Sequence, residues 1–171
     1  MIKAGKALFL SLWTERRATL RTRLSAGDCV AKLQAELGTG LVMGGSGPVI
    51  GRVRSDHATL KRQIFYGNSL ATVVRARFVP DSAGGAEIRC LSNGSGFSQG
   101  FMGLWFAFIL LWWVGAALAV TTNPMPLGWI FILSPVPMLF FGVGFVVFCR
   151  YLARDDEAVV LAYLRDRLEA Q

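Results

Sequence analysis

The 171-residue sequence contains a single imidazole, that of His57. Nucleophilic and general acid–base catalysis usually recruits a histidine or a tuned carboxylate beside a serine, a cysteine or a metal. His57 lies in "SDH" (Ser55 to His57) between two strand-like runs, where it reads as a solvated turn residue rather than a base. Asp155, Asp156 and Glu157 form an acidic cluster, but it falls where a final helix begins and complements that helix's positive end, as Arg165 and Arg167 complement the other end. Cys29, Cys90 and Cys149 are scattered, odd in number and without metal-ligand spacing, which suggests reduced thiols in a cytoplasmic setting. The stretch "GTGLVMG" (Gly38 to Gly44) has the form G-x-G-x-x-x-G. A phosphate-binding fingerprint needs a strand before the glycines and a helix opening after them; here a helix precedes and a strand follows, so the segment reads as a flexible linker. No constellation supports an enzyme, and no cofactor or metal is expected.

The arginines carry a clearer pattern. From Val49 the chain is a series of short runs, "VIGRVR", "ATLKRQIF", "LATVVRARFV" and "AEIRCLS", separated by "SDH", "YGNS" and "PDSAGG". Those separators are turn chemistry, which predicts an antiparallel meander. Leu70, Thr72, Val74, Ala76 and Phe78 share one face of the third run while Arg75 and Arg77 share the other, and Arg52 and Arg54 repeat the spacing. The apolar face is free to cover a helix over 26–37, which "TLRTRLSAGDCVAKLQAELG" predicts: a strand, a cap at Ser25 to Asp28, then Val30, Leu33 and Leu37 at helical spacing. The opposite face is basic. Anionic lipid headgroups are one partner for it, at about 1 kcal/mol per Lys or Arg within a Debye length; the other reading is a solvated face that follows the positive-inside bias. Nucleic acid is not expected, because no aromatic platform or recognition motif accompanies the arginines. Asn68 and Ser69 read as turn residues first and as a candidate contact site second.

These elements stand before an uncharged middle. From Cys90 to Cys149, sixty residues pass without Lys, Arg, Asp or Glu. Within them, 101–121 and 127–149 are apolar runs that would each reach roughly 30 Å as helices, the hydrocarbon thickness of a bilayer. Neither shows a polar face at helical spacing, so two antiparallel transmembrane helices joined by a turn are predicted. Residues 1–100 carry 14 Lys+Arg against 6 Asp+Glu, whereas 150–171 carry 4 against 5 and the linker carries none. Both termini are therefore expected on the cytoplasmic side of an inner membrane.

The spans contain no ionisable residue, which argues against a proton relay or a monomeric ion-coupled carrier. What they offer is packing surface. Gly103, Ala107, Gly115 and Ala119 place small residues four apart along one stripe of the first span, with the hairpin itself as the default user and a homodimer as the alternative. Pro135 and Pro137 in "SPVP" remove two amide donors and free the carbonyls of Phe131 and Leu133. Trp113 lies within about 3 Å of the height of Leu133 at the helical rise, so an indole-to-carbonyl contact across the hairpin is expected; the alternative is a kink satisfied by Ser134 itself.

The first eighteen residues read as a basic amphipathic segment, since the apolar run is short for a signal peptide and no small-residue cleavage site follows. After Arg150, the stripe Val160, Leu161, Leu164, Leu168 predicts an amphipathic helix that covers the sheet or a partner protein.

The run "GRVRSDHATLKRQIFYGNSLATVVRARF", a glycine-containing turn and "FMGLWF" opening a two-span hairpin resemble a family of uncharacterised small bacterial inner-membrane proteins with an N-terminal cytoplasmic α+β domain. Gly51, Asn68, Ser69 and the Gly84 turn are the clearest matches. The resemblance implies an architecture and no activity. The expected fold is α+β: a basic segment (1–18), a small antiparallel sheet with one helix (19–95), a transmembrane hairpin (101–121 and 127–149) and a C-terminal amphipathic helix (150–171). The expected function is non-enzymatic: an accessory or regulatory membrane component that acts by interaction with lipid, a protein partner or further copies of itself. A subunit of an oligomeric transporter and an immunity-type protein against a membrane-active toxin are the alternatives.

Overall fold

The computed structural model describes residues 10, 13–37, 47–64, 70–82, 84–122 and 128–171. Five strands form one antiparallel sheet: β1 (Arg16–Thr22), β2 (Val49–Val53), β3 (His57–Arg62), β4 (Thr72–Pro80) and β5 (Ala86–Gly94). The spatial order is β1-β5-β4-β3-β2, so β2 to β5 are the expected meander and β1 returns to lie beside β5. The period-2 alternation of β4 is realised residue by residue. Thr72, Val74, Ala76 and Phe78 are buried, whereas Arg75 and Arg77 are exposed.

Helix α1 (Ala26–Leu37) packs on the buried face through Cys29, Val30, Leu33 and Leu37. Its start is set by Ser25, whose Oγ accepts the Asp28 amide at 3.1 Å and donates to the Asp28 carboxylate at 2.7 Å. The final helix, α5 (Asp156–Leu168), lies on the same face. Val160, Leu164 and Leu168 are fully buried there, with Leu161 partly buried against the same core, so the amphipathic stripe covers the chain's own sheet. Glu169 closes α5 with a left-handed backbone, and Gln171 then exchanges two backbone hydrogen bonds with Arg21, of 3.0 and 2.9 Å, on the free edge of β1. Gly51 is required by close packing: a Cβ there would stand 2.5 Å from Leu60 Cδ2 and 2.7 Å from the Thr59 carbonyl oxygen.

One residue after β5 ends, α2 (Gly96–Thr122) begins, with Ser95 Oγ accepting the Ser98 amide at 3.2 Å. This helix starts five residues earlier than the apolar run predicts, because the serine cap recruits the polar stretch Gly96 to Gly100 into its first turns. The return is made by α3 (Gly128–Leu133) and α4 (Pro135–Leu152), divided at Ser134. Helix α4 carries on through Arg150 to Leu152 before a short turn leads into α5, so the boundary expected at residue 150 falls at Ala153. α2 and the return helices pack antiparallel as a hairpin. Residues 1–9, part of the basic N-terminal segment, lie outside the described residues, as do Asn68 and Ser69.

Candidate functional site: a basic sheet face joined to an apolar hairpin

With α1 and α5 both on one face, the other face of the sheet is left open, and the strand register ranks its side chains in rows. Arg52 on β2 lies opposite Thr59 on β3, which lies opposite Arg75 on β4. One row along, His57 lies opposite Arg77, which lies opposite Arg89 on β5. Arg54 follows β2 and donates its amide to the His57 carbonyl at 2.8 Å, which brings it beside that second row. The four predicted arginines therefore stand on or just after β2 and on β4, with Thr59 and His57 of β3 between them. A cavity of about 260 Å³ opens on the β2–β3 side of this group, lined by Arg52, Arg54, His57 and Thr59, with Arg75 and Arg77 opposite Thr59 and His57 on β4.

Carboxylates hold the margin of this face. Asp56 accepts from His57 Nδ1 at 2.8 Å and stands 3.6 Å from Arg77 Nε, and Glu87 accepts from Arg89 Nε at 2.8 Å. The hydrogen bond from His57 first, then the charges of His57 and Arg77, hold the Asp56 carboxyl below the usual range; the Arg89 hydrogen bond does the same for Glu87. His57, expected as a solvated turn residue, is instead the first residue of β3, where it orients an acid at the rim of a basic cavity.

The sheet and the hairpin are locked together by side chains that the sequence pattern does not single out as a site. Arg150, near the end of α4, is 8% exposed and donates from Nη1 to the Leu70 carbonyl at 3.1 Å and to Thr72 Oγ1 at 3.2 Å. Leu70 packs with Met102, Val146 and Cys149, flanked by Trp105 and Phe106. Asp156 is 1% exposed, with Arg62 Nη1 3.6 Å from its Oδ1, an ion-pair distance rather than a hydrogen-bond distance. The acidic cluster expected to cap α5 is therefore split in role. Asp155 makes no side-chain cap bond, Asp156 is buried under the sheet, and Glu157 pairs with Arg16 at 3.2 Å.

Burial pushes the Asp156 carboxyl above its ordinary value of 3.8, against the opposing pull of the Thr72 backbone and of Arg62 and Arg150. A carboxyl raised on folding contributes stability below its unfolded pKa and loses that contribution as pH rises through the folded value. Asp156→Asn should therefore match or exceed the wild type in urea resistance at neutral pH, while the wild type gains on it as the pH falls toward about 4. Urea midpoints of both proteins across that range check the sign.

Within the hairpin, indoles donate across to the return helix around the proline pair, and Phe131 is the one freed carbonyl of the two that an indole approaches. Trp113 Nε1 donates to the Ile132 carbonyl at 2.7 Å, while Trp112 Nε1 donates to Ser134 Oγ at 3.1 Å and reaches the Phe131 carbonyl at 3.4 Å. Ser134 Oγ also donates to Phe131 at 3.0 Å. Both expected devices, the cross-helix indole and the local serine, are present together, and the acceptor for Trp113 is Ile132 in place of Leu133. Pro135 opens α4 and is buried, and Pro137 follows in its first turn. Trp113→Phe keeps the ring and leaves Ile132 without this donor. It should lower hairpin stability by about 1–2 kcal/mol, read as a lower thermal midpoint in detergent; an unchanged midpoint would count against the clamp.

The small-residue stripe is placed differently from the default expectation. Gly103, Ala107, Gly115 and Ala119 are all exposed, and a Cβ at Gly103 or Gly115 would meet nothing within 4 Å. Close approach comes from the return helices: a Cβ at Gly142 would stand 2.7 Å from Trp105 Nε1, and one at Gly128 would stand 2.9 Å from a Val120 methyl. Large residues of α2 thus sit on glycines of α3 and α4, while the stripe of α2 makes no close helix contact and its Gly115 and Ala119 border an open apolar cavity with Phe131 of α3. Gly128 and Gly142 are fourteen residues apart, close to four helical turns, and that spacing is the signal in the sequence that could have marked them.

No family model and no curated protein matches the chain. Among solved structures it is similar to an HSP90 activator from Plasmodium falciparum at 14% identity and a TM-score of 0.31, over 47% of this chain and 72% of that one.

Proposed function

We propose that this chain is a non-enzymatic integral membrane protein of the bacterial inner membrane, with both termini cytoplasmic. Its hairpin holds the basic sheet domain at the inner leaflet, where it acts by interaction as an accessory or regulatory component. The observation that carries this reading is the exposure of the hairpin. In the most apolar 18-residue stretch of each arm only 11% and 17% is buried within the chain. A soluble protein's apolar helix is mostly buried; here Phe101, Leu104, Leu111, Phe140, Phe141 and Phe148 all point outward. Among the described residues, the charged ones lie in the sheet domain with its leading strand and in 150–171, on the same side of the hairpin.

The exposed stripe of small residues favours a second reading on the same anchor, in which copies of the chain pack through α2. Alkaline carbonate extraction of native membranes, followed by purification in mild detergent, tests both. The chain should stay with the membrane until detergent is added, then elute with a stoichiometric partner, or as a homo-oligomer under the second reading. Release by carbonate or salt alone would overturn the anchor.

A further inference from the structure

We propose that Arg52, Arg54, Arg75 and Arg77, with His57 and Thr59, form a binding site for a multiply charged, phosphate-bearing anion. The proposal deepens the reading of the basic face given above and rests on it for the side from which a ligand arrives.

Three observations carry it. First, the arrangement is concentrated: β2, β3 and β4 are adjacent, so strands about 4.8 Å apart bring four guanidinium groups into two neighbouring rows fixed by the Arg52–Thr59–Arg75 and His57–Arg77 register. Arg52 with Arg54, and Arg75 with Arg77, are like charges two residues apart on one face of the sheet, and a fold that gathers them gains when an anion neutralises them. Second, the patch is concave. The cavity of about 260 Å³ is large enough for a diphosphate group, and Arg52 and Thr59 are half-buried in it, so an arginine fork and a hydroxyl line its floor. Third, the rim is ordered from one end. Asp56 engages Arg77 and His57 Nδ1, which fixes the imidazole and leaves its Nε2 edge for another partner. Four arginines against one carboxylate leave a positive excess that a singly charged ion does not match. Planar guanidinium forks suit phosphate oxygens in pairs.

The same chemistry is offered by a soluble phosphate compound and by a lipid headgroup. Along a strand at about 3.3 Å per residue, Arg75 and Arg77 lie roughly 10 and 17 Å beyond Thr72, where the sheet meets the hairpin.

The test uses the full chain in neutral detergent, titrated calorimetrically with inorganic pyrophosphate. Binding should weaken at least tenfold in Arg52→Gln/Arg75→Gln and in Arg54→Gln/Arg77→Gln, and should be unchanged in Arg89→Gln, which removes a charge from the same face one strand farther from the cavity, where it pairs with Glu87. Circular dichroism melts establish that the variants are folded, and the second pair alters the exposed margin should the first disturb the sheet. Absence of pyrophosphate binding, or an equal loss in Arg89→Gln, would overturn the site. A second arm repeats the titration in nanodiscs of phosphatidylcholine with and without phosphatidylglycerol. Weaker pyrophosphate binding in the anionic discs assigns the site to headgroups, and equal binding assigns it to a soluble ligand. Failure of the anchor would appear in the carbonate extraction and leave pyrophosphate binding in detergent intact.

Discussion

Leu164→Ala should destabilise the sheet domain by about 2–5 kcal/mol, the range for emptying a fully buried leucine site. Leu164 is 0% exposed and sits in the middle of α5, between Val160 and Leu168, in one core with Leu60, Val74 and Ile88 of the sheet and Leu33 of α1. Its neighbours come from a helix and three strands already tied by backbone ladders, so the cavity is poorly placed to collapse. Urea unfolding of the full chain in mild detergent, followed through the sheet signal, reads the effect as a lower midpoint at constant slope. A loss under about 1 kcal/mol would mean that α5 is not docked on the sheet. Leu161→Ala, on the partly buried flank of the same helix, should cost distinctly less.

Arg150→Ala should cost about 1.5–3 kcal/mol, the scale for losing buried hydrogen bonds made by a charged group. The substitution strips a donor from the Leu70 carbonyl and from Thr72, and it removes a cation whose field reaches Asp156, leaving that carboxylate to Arg62. The loss should show in two ways: a lower unfolding midpoint, and faster proteolysis between hairpin and sheet, since Arg150 joins the end of α4 to the start of β4. Arg150→Lys restores the charge without the planar fork and should recover only part of the stability. Full stability in Arg150→Ala would remove this residue as the latch.

The elements themselves were legible because each rests on local rules. Alternation from Leu70 to Phe78 marks a half-buried strand, Ser25 before Val30 and Leu33 marks a capped helix, and the uncharged run marks the hairpin. What local rules do not encode is adjacency. Period 2 assigns Leu20 to a face of β1 but does not say that β1 pairs with β5, and nothing near Asp156 announces Arg62. The four arginines were legible as one face, yet the placing of Arg75 and Arg77 beside the cavity that Arg52 and Arg54 line depends on cross-strand register. The small-residue stripe of α2 shows where a close helix contact is permitted. It does not say which helix makes it, and the hairpin instead uses Gly128 and Gly142 against Val120 and Trp105.

The account depends on the hairpin crossing a bilayer and leaving the sheet domain and α5 together on one side. All three native cysteines are buried, so single reporter cysteines are readable without removing them. Ser82→Cys marks the turn after β4, and Thr122→Cys marks the end of α2 at the far tip of the hairpin. With a membrane-impermeant maleimide applied to intact cells, the account predicts labelling of the cysteine at 122 directly and of the cysteine at 82 only after permeabilisation. Labelling of both sites from the same side, or recovery of the chain in solution without detergent, would contradict it.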